Sequence, residues 1–197
     1  ALASTPAQAK LKVFACEPEW GSLVNELAGD KVDVDVGTSA LQDVHQIEAK
    51  PSLIAKVRKA DFLACTGAEL EVGWLPQLLR QAGNQKVASG DGYFLAASQV
   101  TTLDKPSALD RANGDVHPQG NPHYWLDPGN GRIIARSIAA KLSQLDPADK
   151  AAFESRYAAF DQKLAAAEKR WDATMAPYKG TKLVTYHRSW PNFMERF

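Results

Sequence analysis

Apolar runs alternate with helix-spaced apolar positions along the first half of this 197-residue chain. Residues 11–16 (LKVFAC) and 61–65 (DFLAC) are short and nearly continuous apolar stretches, as expected of strands buried on both faces of a parallel sheet. Residues 32–36 (VDVDV) alternate strictly, the pattern of a strand with one wet face. Trp20, Leu23, Val24 and Leu27, closed by Gly29, recur at helical spacing. So do apolar positions in 52–60 (SLIAKVRKA) and in 73–82 (GWLPQLLRQA), where Pro76 falls in the first turn and its missing N–H costs least. A further short strand is expected at 86–89 (KVAS). This βα repeat predicts an α/β fold: a parallel sheet with helices on both faces.

The second half changes character. Residues 98–122 mix Pro, Gly, Asn and Asp without periodicity and read as a long surface loop. Asp127 and Pro128 suit an N-cap and a first helical residue, with Ile133, Ile134, Ile138, Leu142 and Leu145 continuing at helical steps. From Pro147 to Ala176 no internal Gly or Pro interrupts Phe153, Tyr157, Phe160, Leu164, Trp171 and Met175, which predicts a helix about 43 Å long at 1.5 Å per residue. Residues 181–187 (TKLVTYH) then suggest a strand, and RSWPNFMERF a loop entering a helix. The expected organisation is an N-terminal α/β lobe over 1–146, a long linker helix over 147–176 and the beginning of an incomplete second α/β lobe over 177–197. One strand and part of a helix do not make a domain, so a longer parent chain is expected.

Charge narrows the partners. Twenty-three Lys and Arg balance 23 Asp and Glu, with no basic stripe of the kind that a phosphate backbone or an anionic membrane needs, so nucleic acid is excluded as a partner. No apolar run reaches the 18 or so residues of a membrane span. The opening ALASTPAQAK suits what remains after signal-peptide cleavage, and an exported, periplasmic location is expected. Cys16 and Cys65 lack any C-x-x-C spacing and end two apolar strand runs. A bridge between them would close a loop worth roughly 4 kcal/mol of chain entropy; two buried free thiols are the alternative.

Candidate chemistry rests on histidine. Of four, His45 lies in a loop after a strand, His123 in a loop before a helix and His187 at the end of a strand-like run. Carboxyl ends of parallel strands are where ligands collect in such folds. The segments DVHQIEAKPS (43–52), TGAELEVGWL (66–75), NPHYWLDP (121–128) and TYHRSW (185–190), in this order and with the long helix, resemble the solute-binding proteins of bacterial zinc and manganese ABC importers.

That resemblance implies His45, His123 and His187 as metal ligands, a fourth ligand beyond residue 197, and His117 as an auxiliary ligand. It also implies capture of zinc by a monomer, with delivery to a membrane ABC permease and no other small-molecule substrate. Manganese relatives tend to carry Glu where this chain has His187, and neutral imidazole suits Zn2+ better than Mn2+. Asp43, Glu48, Glu69, Glu71 and Asp127 are candidates to hold imidazole N–H groups, Asp127 more simply as a helix cap. A zinc hydrolase and a cytosolic metal chelatase are the competing classes. Neither G-x-S-x-G nor H-E-x-x-H occurs, so no enzyme is expected.

Overall fold

The computed structural model describes residues 9–107 and 117–197; the N-terminal export reading and the middle of the expected 98–122 loop lie outside the described residues. Four strands, β1 (Leu11–Ala15), β2 (Val32–Val36), β3 (Phe62–Cys65) and β4 (Tyr93–Leu95), form one parallel sheet in the order β2-β1-β3-β4. Val13 pairs with Val34 on one side and Phe62 on the other, so β1 is central and fully apolar where it is flanked. Edge strand β2 turns Asp33 outward and buries Val32, the split its alternation predicts.

Alternation along the strands sends side chains to two cores. Val13, Ala15, Phe62 and Ala64 meet α1 (Pro18–Ala28) and the long helices; Phe14, Cys16, Leu63 and Cys65 meet α2 (Pro51–Lys59) and α3 (Leu75–Ala82). The two cysteines therefore share a face on adjacent strands, and they form a disulfide with Cα atoms 4.8 Å apart. Because β2 and β3 lie on opposite sides of β1, the chain reverses its winding beyond the carboxyl ends of β1 and β3, which opens the crevice where such folds bind ligands.

Helix α5 (Pro128–Leu145) begins as the sequence predicts, with the Asp127 side chain accepting from Gly129 N at 2.8 Å. Helix α6 (Lys150–Met175) follows a single 3-10 turn over Pro147–Asp149 and is 26 residues long, or about 39 Å. Phe153, Tyr157 and Phe160 seat its first half on the core, while Trp171 near its far end is largely exposed. A short α7 (Pro191–Arg196) packs on the turn Tyr124–Leu126 and ties back through Arg196 to Asp172 at 3.0 Å and Asp127 at 3.5 Å.

Two expected strands do not form. Residues 85–88 make one helical turn, α4 (Gln85–Ala88), and the strand lies further on at Tyr93–Leu95. Asn84 decides this locally: its carbonyl oxygen accepts from Lys86 N, and its amide nitrogen donates to the Val57 and Ala60 carbonyls, so the chain turns before it can pair. Residues 181–187 also adopt no strand; Val184 and Tyr186 are fully exposed, at 101% and 110%. Strand conformation needs a neighbour for its N–H and C=O groups, and no sheet edge adjoins this run among the described residues.

Candidate metal centre

The crevice floor is polar. Gly67, Ala68 and Glu69 turn the chain out of β3 with positive φ angles of 76°, 51° and 67°, unfavourable for the two residues that carry a Cβ. The buried Glu71 carboxylate holds this turn, accepting from Thr66 N at 2.6 Å and Gly67 N at 3.0 Å. Glu17 Oε2 accepts from Thr66 Oγ1 at 2.9 Å, and Thr66 Oγ1 in turn accepts from Trp20 Nε1 at 2.8 Å. No N–H or O–H group reaches Glu17 Oε1 among the described residues, and this carboxyl faces Glu71 within hydrogen-bonding reach. Burial first, and then the Glu71 charge, push Glu17 well above the usual carboxylate range. Burial raises Glu71 as well, but the backbone N–H groups it accepts from pull it back, so Glu17 is the carboxyl of the pair held further toward its protonated form.

This pairing carries a prediction. Glu17→Gln keeps a donor toward Glu71 and an acceptor for Thr66, and should be nearly neutral at pH 7. Glu71→Gln turns an amide N–H₂ against backbone donors and should cost about 3 kcal/mol in urea unfolding. A raised folded pKa means that the native state binds more protons than the unfolded chain, so stability falls as pH rises from the unfolded carboxyl value through the raised one. Glu17→Gln should flatten that slope; an unchanged slope would move the proton elsewhere.

Three of the four histidines converge above this floor. Ring nitrogens of His45, His123 and His187 all lie within 4.8 Å of one another, and His123 Nε2 is 3.0 Å from His187 Nε2. Each is held from a different part of the fold. The loop after β2 brings His45 in, pinned where Trp74 Nε1 donates to the Val44 carbonyl at 2.9 Å. Asp43 Oδ1 lies 2.9 Å from His45 Nδ1, and that hydrogen bond keeps the Asp43 carboxyl below its usual range. Since ionised Asp43 only accepts, Nδ1 carries the hydrogen and the lone pair sits on Nε2, a buried atom with no hydrogen-bond partner among the described residues.

His123 is 8% exposed and precedes Tyr124, which is buried and donates through its hydroxyl to the Thr66 carbonyl at 2.7 Å. The polar floor and the His123 loop are thus one assembly. Burial, together with the facing His187, His45 and His117 rings, lowers the His123 pKa to about 4, which keeps its imidazole neutral. His187 comes from the turn before α7.

The fourth histidine, His117, stacks on His45 with ring centroids 5.5 Å apart, outside the three-nitrogen group. Among the five candidate carboxylates, Asp43 bonds His45, Glu71 serves the backbone of the turn and Asp127 caps α5. Glu48 is exposed, and Glu69 occupies the left-handed turn. Chemically the cluster is an all-imidazole donor set. Tetrahedral zinc with Zn–N near 2.0–2.1 Å would set nitrogens roughly 3.3 Å apart, close to the His123–His187 spacing.

The family described as zinc-uptake complex component A, periplasmic (ZnuA) matches residues 13–197. The chain belongs to the ZnuA family. A solved structure of a ZnuA deletion mutant with zinc bound superposes with a TM-score of 0.80 at 26% identity, covering 95% of this chain and 67% of that one. The manganese ABC transporter substrate-binding lipoprotein scaA of Streptococcus gordonii is 31% identical over 166 residues, 83% of this chain and 51% of its own length. The metal ABC transporter substrate-binding lipoprotein ScbA of Streptococcus cristatus is 29% identical over 160 residues, 81% and 50% of the two chains. This ZnuA-family chain therefore spans about half the length of the curated relatives it matches, which are named as ABC transporter substrate-binding lipoproteins.

Proposed function

We propose that this chain is the metal-holding portion of an exported substrate-binding protein that captures Zn2+ and presents it to the permease of an ABC importer. The observation that carries the reading is the convergence of His45, His123 and His187, with His45 Nε2 a buried atom that meets no hydrogen-bond partner among the described residues. Relatives named for zinc and for manganese support a divalent metal cargo. The choice of zinc follows from the donors: three imidazoles, with no carboxylate oxygen in the cluster among the described residues, suit zinc, whereas manganese favours oxygen. Residues 1–146 form the lobe that supplies two ligands, 147–176 the connecting helix, and 177–197 the start of a second lobe that brings His187 and, further along, a fourth ligand. Export agrees with the disulfide, which persists in oxidising compartments.

Calorimetric titration of the chain with Zn2+ and with Mn2+ tests this, alongside His45→Ala and His187→Ala variants. One zinc per chain, a loss of tenfold or more in each variant and weaker manganese binding are expected. Zinc binding indifferent to both substitutions would overturn the site, and manganese binding as tight as zinc would overturn the cargo.

A further inference from the structure

His187 sits in a stretch with little to hold it. Residues 181–187 form no helix or strand, and Leu183, Val184 and Tyr186 are exposed. Yet His187 Nε2 lies 3.0 Å from His123 Nε2, although the two residues are 64 positions apart in the chain. One buried side chain spans the gap. Asn121, 7% exposed, accepts from His123 N through Oδ1 at 2.9 Å and donates from Nδ2 to the Arg188 carbonyl at 2.7 Å. The two ends of its one amide thus hold the backbone N–H of the first histidine and the backbone carbonyl of the residue directly after the second.

The surroundings stiffen this link. Asn121 N donates to the Leu103 carbonyl at 2.7 Å, and Arg188 Nε donates to the neighbouring Asp104 carboxylate at 2.8 Å, so residues 103–104 brace both ends. Ser189 N donates to the His187 carbonyl at 2.9 Å, closing the tight turn that contains the Arg188 carbonyl. We propose that Asn121 is a positioning residue that fixes the distance between His123 and His187, and so sets the tightness and geometry of metal binding. This rests on reading the two histidines as metal ligands.

The amide chemistry separates the proposal from a purely local role. A turn that caps His123 N needs only an oxygen, which Asp or Ser also provides. The donor to Arg188 has no part in that turn: Asp carries no donor, and Ser carries its single O–H on the same oxygen that would cap His123 N, one bond short of where the Asn nitrogen lies, so of the three only Asn offers an acceptor and a separate, longer-reaching donor. In Asn121→Asp the lost donor is replaced by an oxygen facing the Arg188 carbonyl, which pushes the His187 segment away. The new negative charge should by itself favour a nearby cation, so a loss of affinity could not come from charge.

The test uses Co2+ as a spectroscopic stand-in for zinc, with Zn2+ competition for affinity, on the wild-type chain, Asn121→Asp and Asn121→Ser. Expected are melting temperatures close to wild type, a roughly tenfold or larger loss of affinity carried by faster metal dissociation, and weaker tetrahedral Co2+ absorption in both variants. Unchanged affinity and spectrum in the variants would overturn the clamp. Should Asn121→Asp fail to fold, Asn121→Ser alone decides by the same criteria. Wild-type chain that gives no histidine-dependent Co2+ spectrum would instead overturn the metal reading, an outcome visible before any Asn121 variant is measured.

Discussion

His123→Ala should weaken zinc binding by at least about 100-fold, or about 2.8 kcal/mol at 1.4 kcal/mol per tenfold, the largest loss of any single substitution in the cluster. His123 is the most enclosed of the three, and its neutrality is built in: burial and three facing imidazoles hold its pKa near 4. It therefore offers a lone pair at pH values well above 4, where no proton has to leave before metal enters. Losing an outer partner of a metal ligand typically costs 10–100-fold, so loss of the ligand itself should exceed that range. His117→Ala is the internal control. Its ring rests on His45 but lies outside the three-nitrogen group, and its removal should change affinity by less than about threefold. Isothermal titration of the two variants against wild type separates the cases; equal losses would make His117 a ligand and reopen the assignment.

The parallel sheet was legible because its central strands are continuous apolar runs, which only a two-sided core accommodates. Asp127–Pro128 and the uninterrupted stretch after Pro147 likewise announced α5 and α6 through local chemistry alone. Errors came where a distant neighbour decides. Val87 looks like strand, but Asn84 bonds back to carbonyls at the end of α2 and forces a turn; the edge strand was left to Tyr93–Leu95, too short to register as a pattern. Residues 181–187 have strand-like composition but pair with no sheet edge among the described residues. The histidine trio was found through recognisable local segments, since separations of 78 and 64 residues carry no periodic signal. What those segments did not reveal is the scaffolding: Glu17 reaching Thr66 across 49 residues and Asn121 reaching Arg188 across 67. A signal for Glu17 was present, in that an acidic residue directly follows a fully buried strand run. Nothing local distinguishes the donor role of Asn121 from ordinary turn formation.

Removing the Cys16–Cys65 bridge should cost roughly 4 kcal/mol, the chain-entropy value for a loop of this length. At 2–4 °C per kcal/mol for a chain of this size, the melting temperature should fall by about 8–16 °C. The bridge joins β1 and β3 where they end, beside the Glu17–Glu71 pair, so it ties together the two strands that flank the crevice. Both sulfurs lie within the core shared by Phe14, Leu63 and Leu78 and are fully buried. A mild reductant should therefore leave the native chain untouched and act only on the unfolded one, making thermal scans with and without reductant diverge. Packing and cross-linking can be told apart by a double-mutant cycle. If the bridge itself supplies the stability, Cys16→Ala and Cys65→Ala each lose nearly the full amount, and the double variant loses little more. Additive losses would instead mean that each sulfur contributes only its share of core contacts. Because the hydrogen bonds through which Asp43, Tyr124 and Asn121 hold the histidine segments involve neither sulfur, the double variant should bind zinc within about threefold of wild type wherever it remains folded.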